Sequence, residues 1–162
     1  MLVRLIYASR SRETITHETI EGILAASRQR NPQQGITGVL CYSDTTFVQV
    51  LEGGRDQVNR LYGRLLRDDR HQDVILLAYE SIDERQYSSW TMGKIRLDKI
   101  NRSLLLKYSV TGELNPYDVS SCSTVALLMS WPRRRPSPSA IDGAGSRGCE
   151  NGTLRCRFFW AA

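Results

Sequence analysis

Over residues 3–8 the side chains alternate with a period of two, Val3, Leu5 and Tyr7 on one face and Arg4, Ile6 and Ala8 on the other. That alternation predicts a first β-strand. Thr16 then offers an N-cap, and Ile20, Ile23 and Leu24 follow at helical spacing. They predict a helix that ends near Asn31, because a proline at 32 disfavours α backbone in the residue before it. Residues 35–42 (GITGVLCY) and 46–51 (TFVQVL) are apolar, β-branched runs joined by Ser43, Asp44 and Thr45, the pattern of a hairpin. After Gly53 and Gly54, Val58, Leu61, Tyr62 and Leu65 recur at i, i+3, i+4 and i+7 and predict a second amphipathic helix. Residues 74–79 (VILLAY) are the most apolar stretch and predict a strand buried on both faces. A weaker strand at 92–97 and a short helix at 103–107 complete the regular part.

This order predicts the α+β class: a ferredoxin-like βαββαβ sandwich with an extra strand, two helices packed on one face of a mixed sheet. In that topology the first and third strands lie side by side at the sheet centre. Tyr7 and Gln49 then become neighbours.

Composition changes the picture chiefly after residue 120. The chain has 162 residues, 41% hydrophobic and 24% charged, with a formal net charge of +5. Residues 1–119 carry 16 Lys and Arg against 15 Asp and Glu, and residues 120–162 carry six against two. The folded part is therefore near neutral and lacks the basic footprint of a nucleic-acid binder. Three of the five prolines fall in WPRRRPSPS, which has no periodic pattern. Residues 121–162 accordingly read as a low-complexity, disordered basic tail. Four cysteines without a CxxC pair and two histidines do not assemble a metal site by spacing. No apolar run is long enough to span a membrane, and no signal peptide is visible. The expected compartment is the cytoplasm.

Three polar residues resist a plain core reading. Gln49 shares a strand face with Phe47 and Leu51, where a carboxamide without partners costs about 1–3 kcal/mol. On the first helix, Ser27 and Asn31 continue the stripe begun by Ile20 and Leu24, so that stripe turns polar toward its end. Tyr7 points to the same side of the sheet. Together Tyr7, Asn31 and Gln49 suit a planar heterocycle with alternating C=O and N–H groups, since carboxamides both donate and accept.

Six segments in order carry a family likeness: RLIYAS at 4–9, the pair Asn31 and Pro32, GITGVLCY at 35–42, FVQVLEG at 47–53, DDRH at 68–71 and SSWTM at 88–92. Together they resemble the BLUF family, the flavin-binding blue-light sensors, over about residues 2–110, and LLLKYS at 104–109 resembles the segment following the domain in short, stand-alone members. The resemblance implies a flavin-binding domain at 1–98, a C-terminal helical extension at 99–120 and the tail at 121–162. It also implies the roles. Tyr7 matches the photochemical electron donor and Gln49 the residue linking it to the flavin. Asn31 matches the asparagine on the ring's polar edge, and Ser27, Arg30 and His71 match positions lining the ring or its phosphate side. Trp90 and Met92 match the pair that responds to the switch. The implied cofactor is noncovalent FAD, with FMN and riboflavin as alternatives. The implied output is a downstream protein partner and a homo-oligomer, with no nucleic acid, no membrane and no catalytic activity.

Each residue alone has a plainer reading: Tyr7 as a strand tyrosine, Asn31 as a helix stop, Trp90 and Met92 as packing, His71 as a solvated histidine. Only Gln49 strains it. One rival function is a light-independent ferredoxin-like binding module for RNA or a small-molecule ligand, and an RNA binder calls for aromatic and basic residues that TFVQVLEG does not supply. An acylphosphatase-type hydrolase calls for a glycine-rich anion nest that does not accompany Arg10 and Arg12.

Overall fold

A computed structural model describes residues 1–130, in the order β1 (Leu2–Ser11), α1 (His17–Gln34), β2 (Thr37–Tyr42), β3 (Thr46–Gly54), α2 (Arg55–Leu65), β4 (His71–Ile82), β5 (Gly93–Arg96), α3 (Arg102–Leu106) and α4 (Ser121–Ser130). The sheet order is β4-β1-β3-β2-β5, antiparallel except where β5 runs parallel to β2. This is the expected α+β sandwich with its extra strand. β1 and β3 lie side by side inside the sheet, and Tyr7 is the register partner of Gln49.

The alternation of the strands divides the core into two layers. Val3, Leu5, Tyr7, Leu40, Phe47, Leu51 and Met92 pack with Ile20 and Leu24 of α1 and Val58 of α2. On the other face, Ile6, Ala8, Val39, Cys41, Val48 and Val50 pack against Tyr87, Leu104, Leu105, Leu127 and Leu128. The sheet is thus covered on both sides.

Three sequence expectations need correction. α1 does not stop at Asn31 but runs through Pro32 to Gln34. Gly35, at φ 60°, ends it: its N–H donates to the Pro32 carbonyl, and the Ile36 N–H donates to the Asn31 carbonyl at 2.9 Å. These are the paired bonds of a Schellman end, and the missing proline amide costs only one bond in the last turn. β4 is not buried on both faces, and none of its residues is fully buried. It is an edge strand, and a bulge near Leu77 shifts its facing, so that Ile75, Leu77 and Ala78 touch the far core while Leu76 is 51% exposed. At the edge of the sheet Leu76 and Tyr79 stay open to solvent, so the apolar run is only partly covered.

The third correction concerns residues 121–130, which composition assigned to the irregular tail. They form α4, whose Thr124, Leu127 and Leu128 are buried on the sheet. A ten-residue apolar helix is marginal alone, but contact with β4 and the apolar cluster on that face of the sheet supply the packing it needs. The remainder of the tail, 131–162, lies outside the described residues.

Candidate functional site: a buried tyrosine–glutamine pair

Tyr7 and Gln49 meet under the two helices because both sit on inward positions of adjacent strands. The Tyr7 hydroxyl donates to Gln49 Oε1 at 2.6 Å, and Gln49 Nε2 faces Met92 Sδ at 3.3 Å. All three side chains are buried. Burial pushes the Tyr7 phenol well above the ordinary phenol range, and Tyr62 and Asp68 push it the same way. Such a phenol keeps its proton at any physiological pH. If it gives up an electron, its proton has a ready path along the short bond to Gln49.

Asn31 is the last buried position of the α1 stripe, eleven residues on from Ile20. Its Nδ2 donates to the Thr91 carbonyl at 2.8 Å. Both carboxamides therefore lean on residues 91–92, just before β5. His71 opens β4, with Nδ1 2.7 Å from Ser9 Oγ and its ring 5.2 Å from Phe47 and 6.5 Å from Tyr7. Burial lowers the His71 pKa; Asp68 opposes that effect and Arg70 adds to it. A hydrogen bond from the Arg70 side chain holds Asp68 at about 2.

Not every predicted residue joins this set. Ser27 is half-buried and Arg30 exposed on α1, and neither enters the hydrogen-bonded group. Trp90 lies on the far side of the sheet, its ring 5.6 Å from that of Tyr87. A Cβ at residue 93 would stand 2.3 Å from the indole, so glycine there lets Trp90 lie against the backbone. Met92, not Trp90, is the neighbour of the pair. Sequence reading missed Ser9, which shares the Tyr7 face two residues on, and Tyr62, whose ring is 5.6 Å from that of Tyr7. It also missed the Thr91 carbonyl, a main-chain group that no side-chain pattern reports.

A planar ring with carbonyl and N–H edges fits these groups. α2 packs on β1 and β3, and Ile20 and Leu24 of α1 join the same core layer. At the exposed rim, Arg64 Nη2 donates to Gln34 Oε1 at 3.2 Å and links the two helices. Beneath that rim the two carboxamides supply donors and acceptors, and the partly buried Ile23, Leu61 and Leu65 supply apolar surface.

Residues 2–93 match the profile of BLUF, described as sensors of blue-light using FAD. The chain belongs to the BLUF family. Among curated relatives, this BLUF chain is 38% identical over 92 residues to photoactivated adenylate cyclase subunit beta of Euglena gracilis, covering 56% of this chain and 11% of that one. It is 32% identical over 87 residues to the blue light- and temperature-regulated antirepressor BluF of Escherichia coli (strain K12), covering 54% and 22%. The chain thus spans less than a quarter of either relative. Among solved structures, BlsA in its photo-activated state aligns with a TM-score of 0.72 at 29% identity, covering 85% of this chain and 99% of that one. The dark-state structure of BlrB, a BLUF protein, aligns with a TM-score of 0.67 at 34% identity, covering 79% and 92%.

Proposed function

We propose that this BLUF domain holds FAD noncovalently between α1 and α2 and signals blue light through a hydrogen-bond switch at Tyr7 and Gln49. The observation that carries the reading is the buried chain from Tyr7 through Gln49 to Met92. Asn31 and Gln49 would hold the ring's polar edge, with Tyr7 beneath, His71 beside Tyr7, and Ser27 and Arg30 on the α1 side. When bound, the flavin supplies blue absorption and a strong photo-oxidant.

The protein's part is to manage one electron and one proton. Tyr7 is the oxidisable group, and its proton moves 2.6 Å along the bond to Gln49. Gln49 accepts there and donates weakly to a thioether, a soft and poor acceptor. Its carboxamide therefore gives up little by exchanging the sulfur for a better partner. On return of the electron and proton, the rearranged carboxamide is the stored signal. We read the output as a changed contact with a protein partner, with no catalytic step in this domain. Self-association forms part of the proposal, supported by Leu76 and Tyr79 exposed along the edge strand β4.

Absorption of the purified protein before and after blue light tests this. The expected result is a yellow protein whose bands move to the red and return in darkness. A preparation that is colourless and does not take up added FAD refutes it.

A further inference from the structure

Glu52 is the penultimate residue of the FVQVLEG segment, three residues after Gln49, and is buried at 0% exposure. Strand alternation sends its side chain to the face opposite Gln49. A carboxylate held there without partners is strongly destabilising, and its two oxygens have separate ones. Oε1 takes Arg4, with Nε at 2.8 Å and Nη2 at 2.7 Å. Oε2 accepts the backbone N–H of Tyr87 at 2.9 Å. Arg85 fastens the same segment, donating to the Glu52 carbonyl at 2.8 Å, to Thr37 Oγ1 at 2.9 Å and to the Gly35 carbonyl at 2.6 Å.

From that fixed amide the chain reaches the site in five residues. The Trp90 N–H donates to the Tyr87 carbonyl at 2.9 Å, and the Gly38 N–H donates to the Trp90 carbonyl at 3.0 Å. Thr91 then receives Asn31, and Met92 faces Gln49. Displacement at Tyr87 has little slack in which to dissipate before Thr91 and Met92 move.

We infer that Glu52 is a positioning residue of the photoswitch: by holding the Tyr87 amide it fixes where Thr91 and Met92 stand against Asn31 and Gln49. It thereby sets how readily the Gln49 carboxamide changes partner. The inference rests on the Tyr7–Gln49 reading, and it assigns Arg4 the task of neutralising the carboxylate. A buried ion pair kept only for stability behaves differently, since an apolar pair of similar volume replaces it at little or no loss.

Two full-length variants separate the roles, and both remove the ion pair as a unit so that neither strands a buried charge. R4M/E52Q keeps an oxygen for the Tyr87 N–H. R4M/E52L leaves that N–H without an acceptor. With thermal stability measured alongside, R4M/E52Q is expected to recover in darkness within about two-fold of the original rate. R4M/E52L is expected to keep its flavin and change that rate about three-fold or more, the size of one lost hydrogen bond. In the dark protein as purified, hydrogen exchange at the Tyr87 and Trp90 amides should accelerate about ten-fold in R4M/E52L, while the β1–β3 ladder stays protected. An R4M/E52L protein with unchanged recovery and unchanged Tyr87 protection overturns the inference. So does an R4M/E52Q protein as altered as R4M/E52L, because the ion pair and not the amide contact would then be at work. If the unaltered protein shows no light response, the photoswitch reading fails on its own, and the exchange measurement still decides whether Glu52 holds the segment.

Discussion

Removing the Tyr7 hydroxyl and the Gln49 carboxamide, singly and together, tests the pair as a pair. Tyr7→Phe conserves ring packing but leaves Gln49 Oε1, in a residue 5% exposed, without its 2.6 Å donor. Gln49→Leu conserves bulk and leaves the phenol, in a residue 1% exposed, without its acceptor. Each single change forfeits a hydrogen bond and strands a buried polar group, so each should cost about 1–3 kcal/mol. The double change strands neither side of that bond. Replacing both partners by apolar groups of similar shape is close to neutral, so its cost should fall well below the sum, with a coupling of about 1–3 kcal/mol.

Urea unfolding of the four proteins at one fixed flavin concentration measures this, with each variant's flavin affinity determined separately to remove the linkage contribution. All three variants should bind flavin and lose the red-shifted state, because each breaks the path of the proton. Stability is therefore expected to be non-additive while the light response is lost in every case. Additive costs, within about 0.5 kcal/mol, would refute the hydroxyl-to-carboxamide bond. A normal photocycle in Tyr7→Phe would refute its role even if the coupling were found.

Asn31→Ala should weaken flavin binding about ten-fold, the value of one or two buried hydrogen bonds, as read by flavin release on dilution. A chain ending at Ser120 loses Leu127 and Leu128, each worth about 1.5–3 kcal/mol when buried. Its melting temperature should fall by about 10 °C or more, and an unchanged melting curve would show that α4 contributes nothing to the core. The lowered His71 pKa means that the folded state binds fewer protons than the unfolded one, whose histidine titrates near 6.5. Its stabilising contribution is thus present above that pH and lost as the pH falls through the lower folded value. Melts from about pH 7.5 to about pH 5.5 should show a decline that His71→Gln flattens, and equal slopes would contradict the assignment.

What could be read in advance follows from what side-chain patterns encode. Period-two alternation sets the facing of Tyr7 and Gln49, and the order of elements places their strands together, so their contact is legible in the sequence. Asn31 was legible as the polar end of a helical stripe, although the helix outlasts it. The end of α1 was misplaced because proline is local, while Gly35 and Ile36 pair the last carbonyls from beyond it. β4 is less buried than its apolar run suggests, because such a run does not report whether the strand lies inside the sheet or at its edge. α4 was missed because its ten residues adjoin a proline-rich stretch and owe their helix to a sheet face far away in sequence. The family likeness pairs Trp90 with Met92, and the two, only two residues apart before a short strand, end on opposite sides of the sheet.

That last division bears on how a local change can be felt elsewhere. Gln49, Asn31 and Met92 lie on the helix side, whereas Trp90, Tyr87 and α4 lie on the other. Among the described residues, segment 85–92 touches both. On one side it receives Asn31 and Gln49; on the other the Tyr87 hydroxyl donates to the Leu128 carbonyl at 2.8 Å and Gln86 Nε2 to the Met129 carbonyl at 2.7 Å. A ten-fold light effect on partner binding needs about 1.4 kcal/mol of difference between the two states. One neutral hydrogen bond supplies about 0.5–1.5 kcal/mol, so rearranging Gln49 alone barely reaches that figure. A segment carrying several such bonds into the last turn of a helix can reach it by moving as a unit. The two sides communicate through 85–92 if its bonds break and form together, which makes that segment the two-state element that coupling between distant sites calls for.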